Sequence, residues 1–145
     1  MAHVATYLFF KDNCAAAFAF YREAFGTEYT GPIKRYGEAP PAPGQPPLPS
    51  ECAQLVMHVG LPTIGNHFLM GSDTATPFCP PVTFGSNVEI SLAPDTRAET
   101  ERLFRALSEG GTVKMPLAEM FWGGYYASWI DRFGVLWSVN CEATH

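Results

Sequence analysis

The clearest hydrophobic pattern in the chain lies in residues 121–141, which read FWGGYYASWIDRFGVLWSVNC. On both sides of the short turn at 131–134, aromatic and β-branched residues occupy every second position. A period of two with these residue types indicates extended strands. Asp opens the turn and Gly ends it, which is a favourable turn chemistry because Gly adopts positive φ at little cost. The segment therefore predicts a β-hairpin.

Two other segments carry apolar residues at helical spacing. Residues 14–25 are rich in Ala and aromatic residues, with Asn13 placed to cap the helix and Gly26 placed to end it. A second helix is predicted to begin at Thr96, which forms a capping-box pattern with Glu99, and to end at a Gly-Gly pair. Both helices have one apolar stripe, so each is expected to pack on a sheet.

Shorter apolar or alternating runs predict the other strands. Residues 72–85 contain three prolines and are interpreted as a crossover between two halves. Before the closing hairpin, the predicted strands are 4–10, 28–36, 52–59, 66–71, 87–92 and 113–120.

The resulting order is β-α-β-β-β, given twice. The starts of the two helices, Asp12 and Asp95, are spaced much like their ends, Gly26 and Gly110, as an internal duplication would leave them. We therefore predict an α+β fold of two tandem βαβββ modules, at about 1–72 and 86–145. Each module has a helix on the outer face of a curved mixed sheet, and the paired sheets are expected to surround a cleft.

The segment 37–50 is a Pro-rich loop with EAPPAPGQPPLP at its centre. Proline lacks the N–H that a helix or a sheet ladder requires, so no regular element is expected. The simplest interpretation is a surface loop. A flap over a pocket and a PxxP partner motif are the alternatives.

Composition excludes several classes of protein. The 145 residues are 47% hydrophobic and 16% charged, enough for one folded domain of ordinary size. A net charge of −5 without a basic patch argues against nucleic acid as a partner, and no apolar run is long enough for a membrane span. No signal-peptide pattern occurs at residues 1–4, and the four cysteines form no CxxC, so we expect a cytoplasmic protein with reduced thiols.

The sequence also resembles a known family. WGGYYASWIDRFGVLWSVNC is similar to the closing hairpin of PhnB-like proteins, a branch of the glyoxalase/bleomycin-resistance (vicinal oxygen chelate) superfamily. YLFFKDNCAAAFAFYREAFGTE, NHFLMGSD and VEISLAPDTRAETERLFRALSEGGTV resemble other parts of its two modules. The resemblance covers nearly the whole chain and implies paired βαβββ modules and a homodimer.

The resemblance also implies a divalent metal held by side chains on the first and last strands of each module. Those positions fall near Ala5, His67 or Leu69, Asn87 and Ser138. They supply one good ligand at best, His67, whereas a catalytic zinc site needs about three. We therefore predict no metal or other cofactor, which puts lyase and dioxygenase activities in doubt.

Three side chains are candidates for acid–base chemistry. His58 and His67 are on neighbouring predicted strands and could share a face as a general base or a residual metal ligand; the alternative is ordinary strand histidines. Glu89 is on the same predicted face as Asn87, where burial would make it a useful base; the alternative is a carboxylate facing solvent. The catalytic candidates are therefore His58 and Glu89.

The aromatic residues around Gly123–Gly124 could form a stacking wall for a flat ligand, with Tyr125 and Trp129 on one strand face. The alternative is packing within the sheet and core. Cys14 at a helix start could be a reactive thiol, although an inert one is the simpler interpretation. The candidate ligand-binding residues are Tyr7, Asn87, Glu89, Trp122, Tyr125, Trp129 and Ser138.

Three functions are consistent with these patterns. The first is metal-free binding of a small organic molecule, and the second is a metal-dependent enzyme with relocated ligands at His58, His67 and Glu89. The third is a metal-free acid–base enzyme. Methyl transfer, which some PhnB-like family labels name, is not predicted because the chain has no Gly-rich strand-to-helix turn.

Overall fold

The computed structural model describes residues 2–40, 42–74 and 80–142, and its chain separates into two compact units, Met1–Val82 and Thr83–His145. Among the residues described, each unit contains one α-helix and one four-stranded mixed sheet in the predicted βαβββ order. The first unit consists of β1 Thr6–Phe10, α1 Cys14–Phe25, β2 Lys34–Arg35, β3 Val56–Pro62 and β4 Phe68–Asp73. The second consists of β5 Ile90–Leu92, α2 Arg97–Ser108, β6 Thr112–Glu119, β7 Tyr125–Ile130 and β8 Leu136–Cys141.

In the first unit the strand order is β1-β4-β3-β2, with β1 parallel to β4 and the other pairs antiparallel. Helix α1 packs on one face of this sheet. Gly71 of β4 allows the close approach, because a Cβ at that position would collide with the Phe18 ring. The buried residues between helix and sheet include Phe10, Phe18, Tyr21, Leu61 and Leu69.

The helix begins where the sequence predicts, but its cap is different. The side chain of Asn13 makes no capping hydrogen bond. The Asp73 carboxylate, at the end of β4, accepts from the Cys14 backbone N–H at 2.9 Å and from Val56 N–H at 2.8 Å. A carboxylate from a neighbouring strand therefore satisfies the first turn of α1. Gly26 ends the helix in the left-handed conformation, at φ 67°, as predicted.

In the second unit the order is β5-β8-β7-β6, and α2 covers one face. The predicted cap is confirmed, since Thr96 Oγ1 accepts from the Glu99 backbone N–H at 3.1 Å. The predicted hairpin is also confirmed, with β7 paired to β8 from Tyr125 opposite Cys141 to Ile130 opposite Leu136. Its turn is closed by hydrogen bonds from two backbone N–H groups to the Asp131 carboxylate.

The bounds of all six strands predicted before the hairpin differ from the observed ones, and three of them differ by more than two residues at one end. Only Lys34–Arg35 of the predicted segment 28–36 forms a strand, and Pro32 in that segment has no N–H to donate. The predicted strand 52–59 begins later, because the chain forms a 3-10 turn at Ser50–Cys52 before β3. The predicted strand 87–92 is shortened to β5.

The shortening of β5 has a geometric cause. Its ladder begins with Ile90 opposite Trp137, and β8 itself starts one residue earlier. In this register Glu89 would fall opposite Leu136, the first residue of β8, and Asn87 and Val88 lie beyond the start of that strand, where they have no partner. Val88, which was expected to pack on the helix, is 72% exposed.

Neither helix among the described residues is long and apolar enough to cross a bilayer.

Candidate functional site

The two faces of the first sheet differ in chemistry. One face packs on α1, and the other carries the residues that alternate with the buried ones along β1. Tyr7 and Phe9 point to this second face, at 37% and 54% exposure. Met70 and Ser72 of β4 share it, because Tyr7 pairs with Met70 and Phe9 with Ser72 in register. We call this surface the open face of the first sheet.

Tyr7 and His58 meet on the open face across the central strand β4. The Tyr7 Oη and the His58 Nδ1 lie 3.2 Å apart, and the two ring centroids are separated by 5.8 Å. Phe9 stacks on Tyr7, with centroids 5.0 Å apart and planes 30° apart. The result is an exposed aromatic surface with a hydrogen-bonded polar pair at one edge.

This pair can present either polarity to a ligand. If the Tyr7 hydroxyl donates to Nδ1 of His58, the other ring nitrogen, Nε2, carries the proton and is a donor. In the other tautomer the Nδ1 proton bonds to the Tyr7 oxygen and Nε2 is an acceptor. Lys34 of β2 lies directly opposite His58 in the antiparallel ladder. A side chain with a positive charge thus neighbours the imidazole.

Tyr7 and His58 were both predicted as site residues, but no pattern in the sequence indicated that they pair. Their contact depends on β1 and β3 lying on either side of β4, and hydrophobic periodicity does not specify strand order. The prediction lacked the parallel pairing of β1 with β4, two strands that are not consecutive in the chain.

His67 does not share a face with His58, so that prediction was wrong. In the β3–β4 ladder, Pro62 pairs with Phe68, so His67 lies one position beyond this pair, level with residue 63. His58 is five residues away along β3. At about 3.4 Å per residue this is roughly 17 Å along the sheet. The His67 Nε2 instead lies 2.8 Å from the Thr6 Oγ1.

The side chains at the metal-site positions that the family resemblance implies do not form a ligand set. Ala5 has no ligand atom, and Leu69 is buried against the helix side of the first sheet. Within residues 2–40, 42–74 and 80–142, no three His, Cys, Asp or Glu side chains cluster closely enough to hold an ion. The donors present therefore do not fit a divalent metal at those positions.

The second sheet also has a helix face and a face opposite the helix. Ser138 lies on the latter, paired with Ser128 of β7 and Ser91 of β5, while Tyr126 pairs with Asn140. Ser138 is buried. This face therefore combines hydroxyl, amide and phenol groups.

Trp122 folds over the edge of that face. Its indole Nε1 donates to the Asn140 Oδ1 at 3.4 Å, and its ring packs edge-on against Tyr126 at 5.7 Å. The bend requires Gly124, because a Cβ there would overlap both the Asn140 amide and the Trp122 indole. Half of Trp122 stays exposed.

Tyr125 and Trp129 alternate onto one strand face, as predicted, but that face packs on α2. Trp129 is fully buried, with the Phe104 ring 5.4 Å away and the Trp137 ring stacked at 6.5 Å. Its indole nitrogen has no hydrogen-bond partner in the described structure. The interpretation of Trp129 as core packing is therefore confirmed, and the stacking-wall hypothesis for this ring was wrong.

Tyr125 is held at the edge of the same helix face. Its hydroxyl donates to Glu101 Oε1 of α2 at 3.1 Å, and the Arg97 guanidinium lies 4.6 Å from its ring centroid. Arg97 also forms an ion pair with Glu119 of β6. Desolvation, followed by the neighbouring Glu101, raises the pKa of the Tyr125 hydroxyl. This arrangement links the helix to the sheet.

Asn87 and Glu89 precede β5 and are exposed. Their predicted place on a strand was wrong, because the β5 ladder begins only at Ile90. Glu89 therefore lacks the burial that the general-base hypothesis required.

Comparison with known proteins decides the family. Residues 2–140 match the sequence model of the family described as 3-demethylubiquinone-9 3-methyltransferase. The chain belongs to this PhnB-like family. The family resemblance in the sequence is therefore confirmed.

Solved structures agree with the fold. Protein PA1353 from Pseudomonas aeruginosa is 37% identical, with 98% of each chain covered and a TM-score of 0.83. A PhnB protein from Bacillus cereus is 23% identical, covering 97% of this chain and 99% of that one, with a TM-score of 0.75. A glyoxalase/bleomycin resistance protein/dioxygenase family enzyme from Burkholderia phytofirmans is 18% identical, with 96% and 97% covered and a TM-score of 0.61. The predicted glyoxalase-type fold is confirmed.

Proposed function

We propose that this PhnB-like protein binds a small organic molecule on the open face of the first sheet. The observation that carries the proposal is the Tyr7–His58 pair beside the exposed Phe9 ring. Binding sites for small molecules combine apolar and aromatic surface with a few fixed polar groups, and this cluster has both. Stacking on the aromatic rings would bury apolar surface of the ligand, and the hydrogen-bonded pair would orient the ligand.

The neighbouring charges favour a particular ligand class. Lys34 lies across from His58, so an acidic group placed beside the imidazole would find a cation as well as a hydrogen-bond donor. A flat ring would stack on Tyr7 and Phe9. The ligand class is therefore a planar organic acid.

The test compares planar acids with neutral analogues. We expect 2-naphthoate and 4-hydroxybenzoate to raise the melting temperature more than their amides, since a ligand that binds only the folded state stabilises it. At a hundred times the dissociation constant the stabilisation is about 2.7 kcal/mol. Differential scanning fluorimetry of the untagged protein measures the shift.

Matched variants locate the site. Tyr7→Ala and His58→Ala should lose the shift, while Tyr29→Phe and His3→Ala should keep it, because those two residues lie outside the cluster. Tyr29 instead packs under Arg22 and His3 against Phe68. A shift that persists in both Tyr7→Ala and His58→Ala would contradict the proposal, as would the absence of any shift.

A second function, metal-free acid–base catalysis, is favoured by the Tyr7–His58 hydrogen bond. An oriented imidazole can act as a general base and remove a proton from a bound acid. Proton NMR in D₂O of a bound 3-oxo acid would show exchange at its acidic C–H position. Exchange that disappears in His58→Ala and persists in His3→Ala would support catalysis; no exchange would leave binding alone.

Methyl transfer, named in the family description, is not part of the proposal, because the sequence has no Gly-rich turn for a methyl-donor cofactor. We also infer a homodimer and a cytoplasmic location from the sequence. Light scattering coupled to size-exclusion chromatography tests the dimer, and cell fractionation tests the location.

A further inference from the structure

The Pro-rich loop is closed at its base by the backbone. Tyr36 N–H donates to the Leu55 carbonyl at 3.0 Å, and Gly37 N–H donates to the Ala53 carbonyl at 2.9 Å. Gly37 eases this close approach, because a Cβ there would lie 3.0 Å from the Ala53 carbonyl oxygen. The two ends of the loop are therefore pinned together beside β3.

The pinned loop lines a half-open cavity of about 560 Å³. This is within the range of roughly 300–1,000 Å³ that small-molecule sites occupy. None of the residues that line it carries a charge. Most of the wall is apolar and comes from the loop itself, with one residue from β3: Tyr36, Pro46, Pro47, Leu48, Pro49 and Met57.

Proline explains how such a wall can stay open and apolar. Each proline fixes φ near −65° and contributes no N–H, so the wall gains rigidity without presenting unpaired donors. The loop also contains its own turn, in which Gln45 N–H donates to the Ala42 carbonyl around Gly44 at φ 82°. The loop therefore has a defined backbone conformation.

We propose that this loop is a second binding site, for a neutral and mainly apolar small molecule. The uncharged wall would leave a ligand's charge unpaired and partly desolvated, which disfavours ions. The Gln45 amide and the Ser50 hydroxyl in the lining can satisfy one or two polar atoms of the ligand. The proposal does not depend on the function proposed for the open face.

The two sites are separated by the strand between them. Met57 and His58 are successive residues of β3, and successive side chains of a strand point to opposite faces. Met57 lines the cavity, and His58 contacts Tyr7 on the open face. Variants in one site should therefore leave the other intact.

The test uses 1-aminoanthracene, a neutral aromatic probe whose fluorescence increases in apolar surroundings. We expect saturable binding by the 145-residue chain. Ala42→Trp fills the cavity from an exposed loop position, and Leu48→Asp places a charge in its wall. Each variant should weaken probe binding about tenfold or more, the factor expected when the apolar contact area of about one aromatic ring is lost.

Two controls make the result specific. Ala16→Trp adds the same side chain at an exposed position on α1, and Phe121→Ser removes a ring that is 98% exposed. Both should bind the probe as the wild type does, with melting curves confirming that every variant is folded. Unchanged binding in Ala42→Trp and Leu48→Asp, loss in Ala16→Trp or Phe121→Ser, or no saturable binding at all would overturn the proposal.

Discussion

The Asp131 carboxylate stabilises the β7–β8 hairpin from inside its turn. Its Oδ1 accepts from Phe133 N–H at 2.8 Å and Val135 N–H at 3.0 Å, and its Oδ2 accepts from the Trp137 indole at 2.8 Å. Asp131 is buried, so water does not replace these bonds readily. The perturbation that isolates the indole bond is Asp131→Asn.

The structure gives the size of the effect. Asparagine keeps one carbonyl oxygen for the two backbone donors, but its amide group turns N–H toward the Trp137 N–H, so two donors face each other. Losing a hydrogen bond to a charged acceptor and removing the acceptor of a buried donor should cost about 2–3 kcal/mol. Asp131→Ala removes all three bonds, at about 1–1.5 kcal/mol each, and should cost about 3–5 kcal/mol.

Urea unfolding followed by tryptophan emission measures these values. The three tryptophans, at 122, 129 and 137, all lie in the second unit, so their emission reports on that unit. In a double-mutant cycle, Trp137→Phe removes the donor, and the coupling to Asp131→Asn should be about 1–2 kcal/mol. A cost for Asp131→Asn under about 0.5 kcal/mol, or zero coupling, would refute the reasoning.

Two further predictions concern the first unit. Asp73→Ala should lower the free energy of unfolding by about 2–4 kcal/mol and Asn13→Ala by less than about 0.5 kcal/mol, because Asp73 and not Asn13 accepts from the first N–H of α1. Urea unfolding followed by circular dichroism measures both values, and a larger loss of stability in Asn13→Ala than in Asp73→Ala would contradict the prediction. Burial, reinforced by Asp73, raises the pKa of the Cys14 thiol, so the folded state keeps a proton that the unfolded chain loses. The stability from this group is complete below the ordinary thiol pKa of about 8.5 and is lost as pH rises above it. The free energy of unfolding of Cys14→Ala should therefore fall less steeply with rising alkaline pH than that of the wild type. Equal slopes in the two proteins would contradict this prediction.

The sequence predicted the elements whose signals are local. The α1 bounds follow from Ala-rich helical periodicity and an αL glycine at Gly26, and the cap of α2 follows from the Thr96–Glu99 spacing. The closing hairpin follows from alternation around the turn that Asp131 begins. In each case the residues that determine the structure are within a few positions of one another.

Contacts between distant residues were decided by the tertiary structure. Asp73 caps α1 from 59 residues away, and Tyr7 reaches His58 only because β4 lies between their strands. The alternation of Tyr125 and Trp129 was visible in the sequence, but which of the two sheet faces the helix would cover was not. Period two says that residues share a face, while packing decides whether that face is core or surface. The family and the secondary-structure order were therefore readable from the chain, whereas the candidate site required strand order and helix placement.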